Sequence, residues 1–316
     1  MLKTEICNLL SIKYPLIQGA MAWIAGGRLA GAVSSAGALG VIGAGSADTT
    51  WITKEIDIAR KTTDRPFAVN LMLTSPYIEE VVELVIKERI PVVTTGGGNP
   101  GRYMEKLKNA GIKVIPVVAS VALARRLSRL GADALIVEGT ESGGHIGEMT
   151  TMTLVPMVVD AVDVPVIAAG GIADGRGIAA ALALGAEGVQ VGTRFICSPE
   201  CDVHPSYQQK VLKARDRDTV VCGTATGHPV RAIRNKFTRE YLTRERMGTS
   251  KEELEELGKG RYPAAAVEGK IDDGSILAGQ VCGLISEVQP AGEIISGIIK
   301  DTLSVIRRLG DKECLE

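Results

Sequence analysis

Eight short runs rich in Val, Ile, Leu and Ala recur through the first two thirds of the chain, and most end at a glycine, an amide or another polar residue. They cover 15–19, 39–43, 67–71, 91–95, 113–118, 134–138, 164–169 and 188–192. Measured at Gly19, Gly43, Asn70, Thr95, Val118, Glu138, Ala169 and Gly192, successive runs are 20 to 31 residues apart, a regular strand-helix beat. Runs such as 164–169, apolar on both faces, suit a parallel sheet covered by helices. The intervening segments carry helix punctuation. Ser75 with Pro76 reads as an N-cap followed by a proline in the first turn, and Asp174 reads as the cap of a helix that stops at Gly185. Eight parallel strands with crossover helices predict an α/β fold of the TIM (β/α)8 barrel type, and the count of eight sets aside a doubly wound sheet.

The beat ends at Gly192, well before residue 316. From Cys197 to about Lys270 the period is lost and charges are denser, with 252–257 reading as a solvated helix. The expected organisation is a barrel over 1–196, a small inserted domain over 197–270 before the last barrel helix, and a return to the barrel over 271–316.

Lys and Arg number 36 against 37 Asp and Glu, a balance that excludes a general nucleic-acid binder. The longest uncharged stretch, 29–47, is diluted by five glycines, Gly31 among them, and three serines, so a buried helix and strand are expected there rather than a membrane span. No basic segment followed by an apolar run opens the sequence, which predicts a cytoplasmic protein. Six scattered cysteines, Cys7, Cys197, Cys201, Cys222, Cys282 and Cys314, make no disulfide framework and are read as reduced thiols.

In a barrel the working face is formed by the loops after the strands, and a phosphate commonly rests after the seventh and eighth. Here the seventh run leads into Gly170 and Gly171 and the eighth into Gly192 and Thr193. Glycines let backbone amides close on an anion; two tight packing turns are the alternative. Gly96, Gly98 and Gly101 formally match G-x-G-x-x-G, but no acidic residue stands near Val121, where a dinucleotide fold wants one. That loop is expected to be a cavity wall. After the sixth run, His145 sits among Gly143, Gly144 and Gly147, where an imidazole can approach a ligand and donate a hydrogen bond or pass a proton. His204 and His228 fall in the inserted region and are expected to be structural. Cys197, Cys201 and His204 match no standard zinc spacing, and no metal site is predicted. The basic residues of 231–246 fit a solvated helix face, or a dock for an acidic partner.

Six segments together, 18–23, 70–72, 138–147, 168–175, 190–195 and 278–280, resemble the flavin-dependent enoyl-[acyl-carrier-protein] reductases of the FabK type, within the nitronate monooxygenase superfamily. The resemblance implies a barrel holding FMN under a small domain. Gly19, Ala20, Met21 and Ala22 would lie against the flavin ring, with Ala20 where the family often has glycine. Asn70 and Glu138 would hold its polar edges, and Gly170, Gly171, Gly192 and Thr193 its phosphate. Ser275 and Gln280 would contribute from the far side, and His145 matches the active-site histidine. The implied reaction is reduction of trans-2-enoyl thioesters by NADH or NADPH. Acyl carrier protein would dock on Arg231, Arg234, Lys236 and Arg239, a monovalent cation would assist, and the assembly would be a homodimer. The rival activity within the superfamily is oxidation of nitronates by oxygen.

Overall fold

The computed structural model describes residues 2–311. Its eight barrel strands are β1 (Leu16–Gln18), β2 (Val41–Gly43), β3 (Ala68–Met72), β4 (Val92–Gly96), β5 (Lys113–Val118), β6 (Leu135–Glu138), and, after a two-residue β7 (Gly144–His145) outside the barrel, β8 (Val166–Ala169) and β9 (Gly188–Val191). All eight run parallel in the order β1, β9, β8, β6, β5, β4, β3, β2. A parallel bridge between Ile17 and Leu39 joins the two ends, so the sheet is a TIM barrel.

Strand alternation divides the apolar residues into two cores. Ile17, Val41, Val92, Ile115, Ile136 and Ile167 fill the barrel interior, and Ile6 and Leu10 of the helix Glu5–Leu10 join that cluster. A larger layer, including Val69, Val93, Val114, Leu135 and Val189, packs under the surrounding helices. The helix Ile78–Lys87 buries Ile78, Val81, Val82 and Val85, the stripe its 3.6-residue period requires. It begins two residues later than Ser75 and Pro76 suggest: Ser75 Oγ accepts from Tyr77 N–H at 3.2 Å, forming the turn that precedes the helix. Asp174 caps the helix Gly175–Ala183, accepting from the Arg176 and Gly177 amides at 2.9 and 3.3 Å. That helix stops short of Gly185, which turns away at φ +90. The 20-residue helix Ala291–Gly310 packs against Gly175–Ala183 and against Gly27–Ser35, the helices that follow β8 and β1, and so closes the ring.

Beyond β9 lie the helices Thr193–Ile196, Pro205–Leu212, Lys236–Arg246, Lys251–Gly258 and Arg261–Ala266, and the antiparallel strands β10 (Thr219–Cys222) and β11 (Val230–Ile233). Phe237, Tyr241, Leu254 and Cys222 form a small core there. In Lys251–Gly258 only Leu254 is buried, which matches a solvated helix. β11 also pairs with β7, binding this region to the loop after β6. The described cysteines are all buried and unpaired; Cys314 lies outside the described residues. Among the described residues, no helix is long and apolar enough to cross a membrane.

Candidate active site

A cavity of about 660 Å³ opens at the carboxyl ends of the barrel strands. Its floor and near wall come from Gly19, Ala20, Met21 and Ala22 after β1, and from Asn70 in β3. Asn70 Nδ2 donates to Thr94 Oγ1 at 2.9 Å, which fixes the amide between two barrel strands. The 21–25 turn is held tightly: a Cβ on Gly43 would lie 2.6 Å from the Met21 carbonyl oxygen. Tyr262 O–H donates to Ala22 O at 2.9 Å, fastening the same turn from the opposite side. Gly96, Gly97 and Gly98 line the cavity as an open wall, and a Cβ at Gly96 or Gly98 would meet nothing within 4 Å.

Backbone amides gather at the end formed by β8 and β9. Gly170 and Gly171 adopt φ of +92 and +71, a region glycine enters without strain. Gly192 and Thr193 complete the group, and all four line the cavity. None of these four N–H groups donates to an acceptor among the described residues. A Cβ at Gly192 would point into open space. Unused donors that line one cavity, at two adjacent loops, fit a phosphate dianion. The residues present therefore suit an FMN phosphate, with the turn after β1 placed to take the ring.

The loop after β6 carries the titratable groups. Thr151 N–H and Oγ1 donate to the Glu141 carboxylate at 3.0 and 2.9 Å, and Arg231 Nε donates to Thr140 O at 2.9 Å. So fastened, the loop presents His145 to the cavity, beside Glu138 at the end of β6. Desolvation pushes the Glu138 carboxyl up to about 7, against a hydrogen bond from Ser142 that lowers it. Desolvation also lowers the His145 pKa, and the nearby His228 lowers it further. The imidazole is therefore neutral at neutral pH, while its ring stays accessible from the cavity.

A model of the nitronate monooxygenase family matches residues 3–301. The chain belongs to the nitronate monooxygenase family. It is a flavin-dependent oxidoreductase. FabK from Thermotoga maritima is 50% identical, with 98% of this chain and 99% of that one covered and a TM-score of 0.95. A Rhodococcus jostii protein named as a 5-hydroxy-7a-methyl-1-oxo-octahydro-1H-indene-4-carboxyl-CoA dehydrogenase is 32% identical, covering 98% of both chains. A probable nitronate monooxygenase of Staphylococcus saprophyticus is 38% identical over 75% of this chain and 80% of its own.

Several expectations change in this member of the nitronate monooxygenase family. Arg231 is not part of a surface dock: its side chain is buried and committed to Thr140 O, whereas Arg234, Lys236 and Arg239 are exposed. Ser275 and Gln280 do not line the cavity; Leu277, Gly279 and Val281 do. Gly279 N–H donates to Thr193 Oγ1 at 2.9 Å, so this segment is tied to the eighth barrel strand's exit. His228 is not merely structural, since it lines the cavity with Gly227 and Pro229. His204 is structural: its Nδ1 caps the helix Pro205–Leu212 by accepting from Ser206 N–H at 3.2 Å. Burial pushes the Cys197 and Cys201 thiols up to about 11 and about 12. Met72, Ala119, Gln190 and Tyr262 also line the cavity. Gln190 carried a signal as part of the eighth run, but nothing local to Tyr262 marks it.

Proposed function

We propose that this protein reduces the trans-2 double bond of enoyl thioesters on acyl carrier protein, with FMN and NADH or NADPH, in the last step of fatty-acid elongation. The observation that carries this reading is the end-to-end likeness to FabK from Thermotoga maritima, which spans the barrel and the region beyond β9 alike. Gly170, Gly171, Gly192 and Thr193 would hold the phosphate, Gly19 to Ala22 would support the ring, and Asn70 and Glu138 would meet its polar edges. Bound there, FMN supplies hydride exchange between reduced nicotinamide and the β-carbon of a conjugated thioester.

Reduction at the β-carbon leaves negative charge on the thioester oxygen and an α-carbon needing a proton. A neutral His145 has one N–H to donate and one nitrogen to accept, so it can stabilise that oxygen or take part in proton delivery. The strand pairing of β7 and the tied loop after β6 hold the ring for this role. Arg234, Lys236 and Arg239 form the exposed basic face that an acidic carrier would meet. A homodimer and a monovalent cation belong to the same reading.

A second reading, oxidation of nitronates, is favoured by the family description and by the neutral state of His145, which suits a base. An anaerobic stopped-flow experiment separates the two. FMN-loaded protein is reduced by NADH or NADPH and then mixed with crotonyl thioester. The reductase reading expects the oxidised flavin spectrum to return on mixing. Silence toward thioester together with rapid aerobic consumption of nitronates would establish the second reading instead.

A further inference from the structure

His145 and His228 stand on neighbouring chains of one short ribbon. β7 pairs with β11 so that Val230 lies opposite His145. Ile146 N–H donates to Pro229 O at 3.1 Å, which carries the same register one residue further. The next step of that register sets His228 opposite Gly147. Residues two apart on a strand project from one face, so His228 shares the face of Val230 and thus of His145. Diagonal neighbours in such a ribbon lie about 7–8 Å apart, within reach of two facing rings. Both residues line the cavity.

The loop that carries His228 is built to keep it there. Its N–H donates to Gly223 O at 3.2 Å, and the buried Thr226 hydroxyl donates to the same oxygen at 2.8 Å. Gly223 and Gly227 take φ of +82 and +79, and a Cβ on Gly223 would lie 2.7 Å from the His228 carbonyl oxygen. Ala225 N–H donates to Glu245 Oε1 at 2.8 Å, latching the loop to the helix Lys236–Arg246. The other titratable groups lining the cavity are Glu138, Glu141 and Tyr262. Glu141 is engaged by Thr151, Tyr262 by Ala22 O and Glu138 by a hydrogen bond from Ser142, and the two imidazoles are the pair that shares one face of the ribbon.

We propose that His228 is a second imidazole of the reaction site, and that it and His145 carry one proton between them at the thioester end of the substrate. The proposal rests on the enoyl-thioester reading and assigns a residue that reading leaves unused. Two adjacent imidazoles cannot both be charged cheaply, so the pair takes up at most one extra proton. Hydride added at the β-carbon, supplied from NADH or NADPH, places an electron pair on the α-carbon and thioester oxygen. The neutral imidazole donates its N–H to that oxygen. The protonated one gives up its proton, its N–H bond breaking as the α C–H bond forms, and water restores the proton to the pair.

The test uses FMN-loaded protein with His228→Gln, which keeps hydrogen bonding but cannot take a proton, and His228→Asn as a second variant. Flavin absorbance reports an intact site. The sequence has only three histidines, so their ring signals are resolved and assigned by NMR. In both variants the His145 titration midpoint is expected to rise, because the His228 contribution is gone while the desolvation of the ring remains. The half-reaction with crotonyl thioester is expected to slow by on the order of 10²-fold, with reduction by nicotinamide unchanged. A His145 midpoint that stays in place, or a thioester half-reaction that keeps its rate, overturns the proposal. If the unmodified protein reduces no thioester, the reductase reading fails and takes the proton-delivery role with it, while the NMR shift still reports the pairing.

Discussion

The carboxamide of Gln18 hydrogen-bonds to both backbone groups of Val41, accepting from the amide at 3.0 Å and donating to the carbonyl at 3.2 Å. It acts as a peptide unit inserted between β1 and β2, where the barrel closes only by the Ile17–Leu39 bridge. Gln18 is fully buried, so Val41 has no water to turn to. Gln18→Leu removes both bonds at similar volume and should cost about 1–3 kcal/mol for each orphaned group. Urea unfolding followed by circular dichroism measures it, and an unchanged midpoint would show that the strands rejoin without the amide.

His145→Ala tests the central imidazole. The variant should retain its flavin, because none of the amides after β8 and β9 depends on that residue. Enoyl reduction should fall by about 10²–10⁴-fold. Full activity in a flavin-loaded variant would remove His145 from the chemistry.

The barrel was legible because its runs are apolar on both faces and return at one spacing, and neither property depends on distant contacts. The glycine loops at the cavity were legible for the same reason: Gly170, Gly171, Gly192 and Thr193 directly follow their strands. What escaped depends on pairing across the chain. His228 reaches the cavity through the register of β11 with β7, 83 residues away in sequence between positions 228 and 145. Arg231 counts as a surface charge until its guanidinium is seen on Thr140 O. Ser275 and Gln280 bracket the correct segment, but the backbone ties Ser275 N–H to Arg261 O at 2.8 Å, and Leu277, Gly279 and Val281 face the cavity instead. Gln18, a polar residue inside an apolar run, carries no local sign that it closes a barrel.

Glu138 should leave a mark on stability against pH in the flavin-free protein. Burial raises its folded-state pKa from 4.5 to about 7. Between those values the unfolded chain ionises first and binds fewer protons, so stability falls as pH rises through this window. Below it both states are protonated, and above it both are charged. Relative to Glu138→Gln, the parent should lose up to about 1.4 kcal/mol per pH unit in the window and then level off. Denaturant titrations of both proteins between pH 4 and pH 8, roughly spanning that window, check the sign. An increase in relative stability with pH would contradict it.

The exposed basic face predicts a difference between two forms of one substrate. Charge reversal at Arg234 and Arg239 should raise the KM for an enoyl group on acyl carrier protein by about tenfold, through slower association. The same acyl group on a small thiol should be turned over as before. The loss should also shrink at high salt, because screening already weakens the attraction. Equal effects on both substrates would place the damage in the site rather than in docking.

Two glycine substitutions separate folding from cofactor binding. Gly192 has φ −107, and a Cβ there would meet nothing within 4 Å. Gly192→Ala should therefore fold with near-parent stability. Its methyl group would occupy the volume beside the four unused amides, where the proposed phosphate would sit, and the Kd for FMN should rise at least about tenfold, or about 1.4 kcal/mol. Gly43→Ala is the contrasting case, because its Cβ would lie 2.6 Å from the Met21 carbonyl oxygen. That substitution must displace the turn after β1 and should lower stability with or without flavin. Fluorescence titration of FMN and thermal melts of the flavin-free proteins supply both readings. Normal flavin affinity in Gly192→Ala would mean that the phosphate rests elsewhere in the cavity.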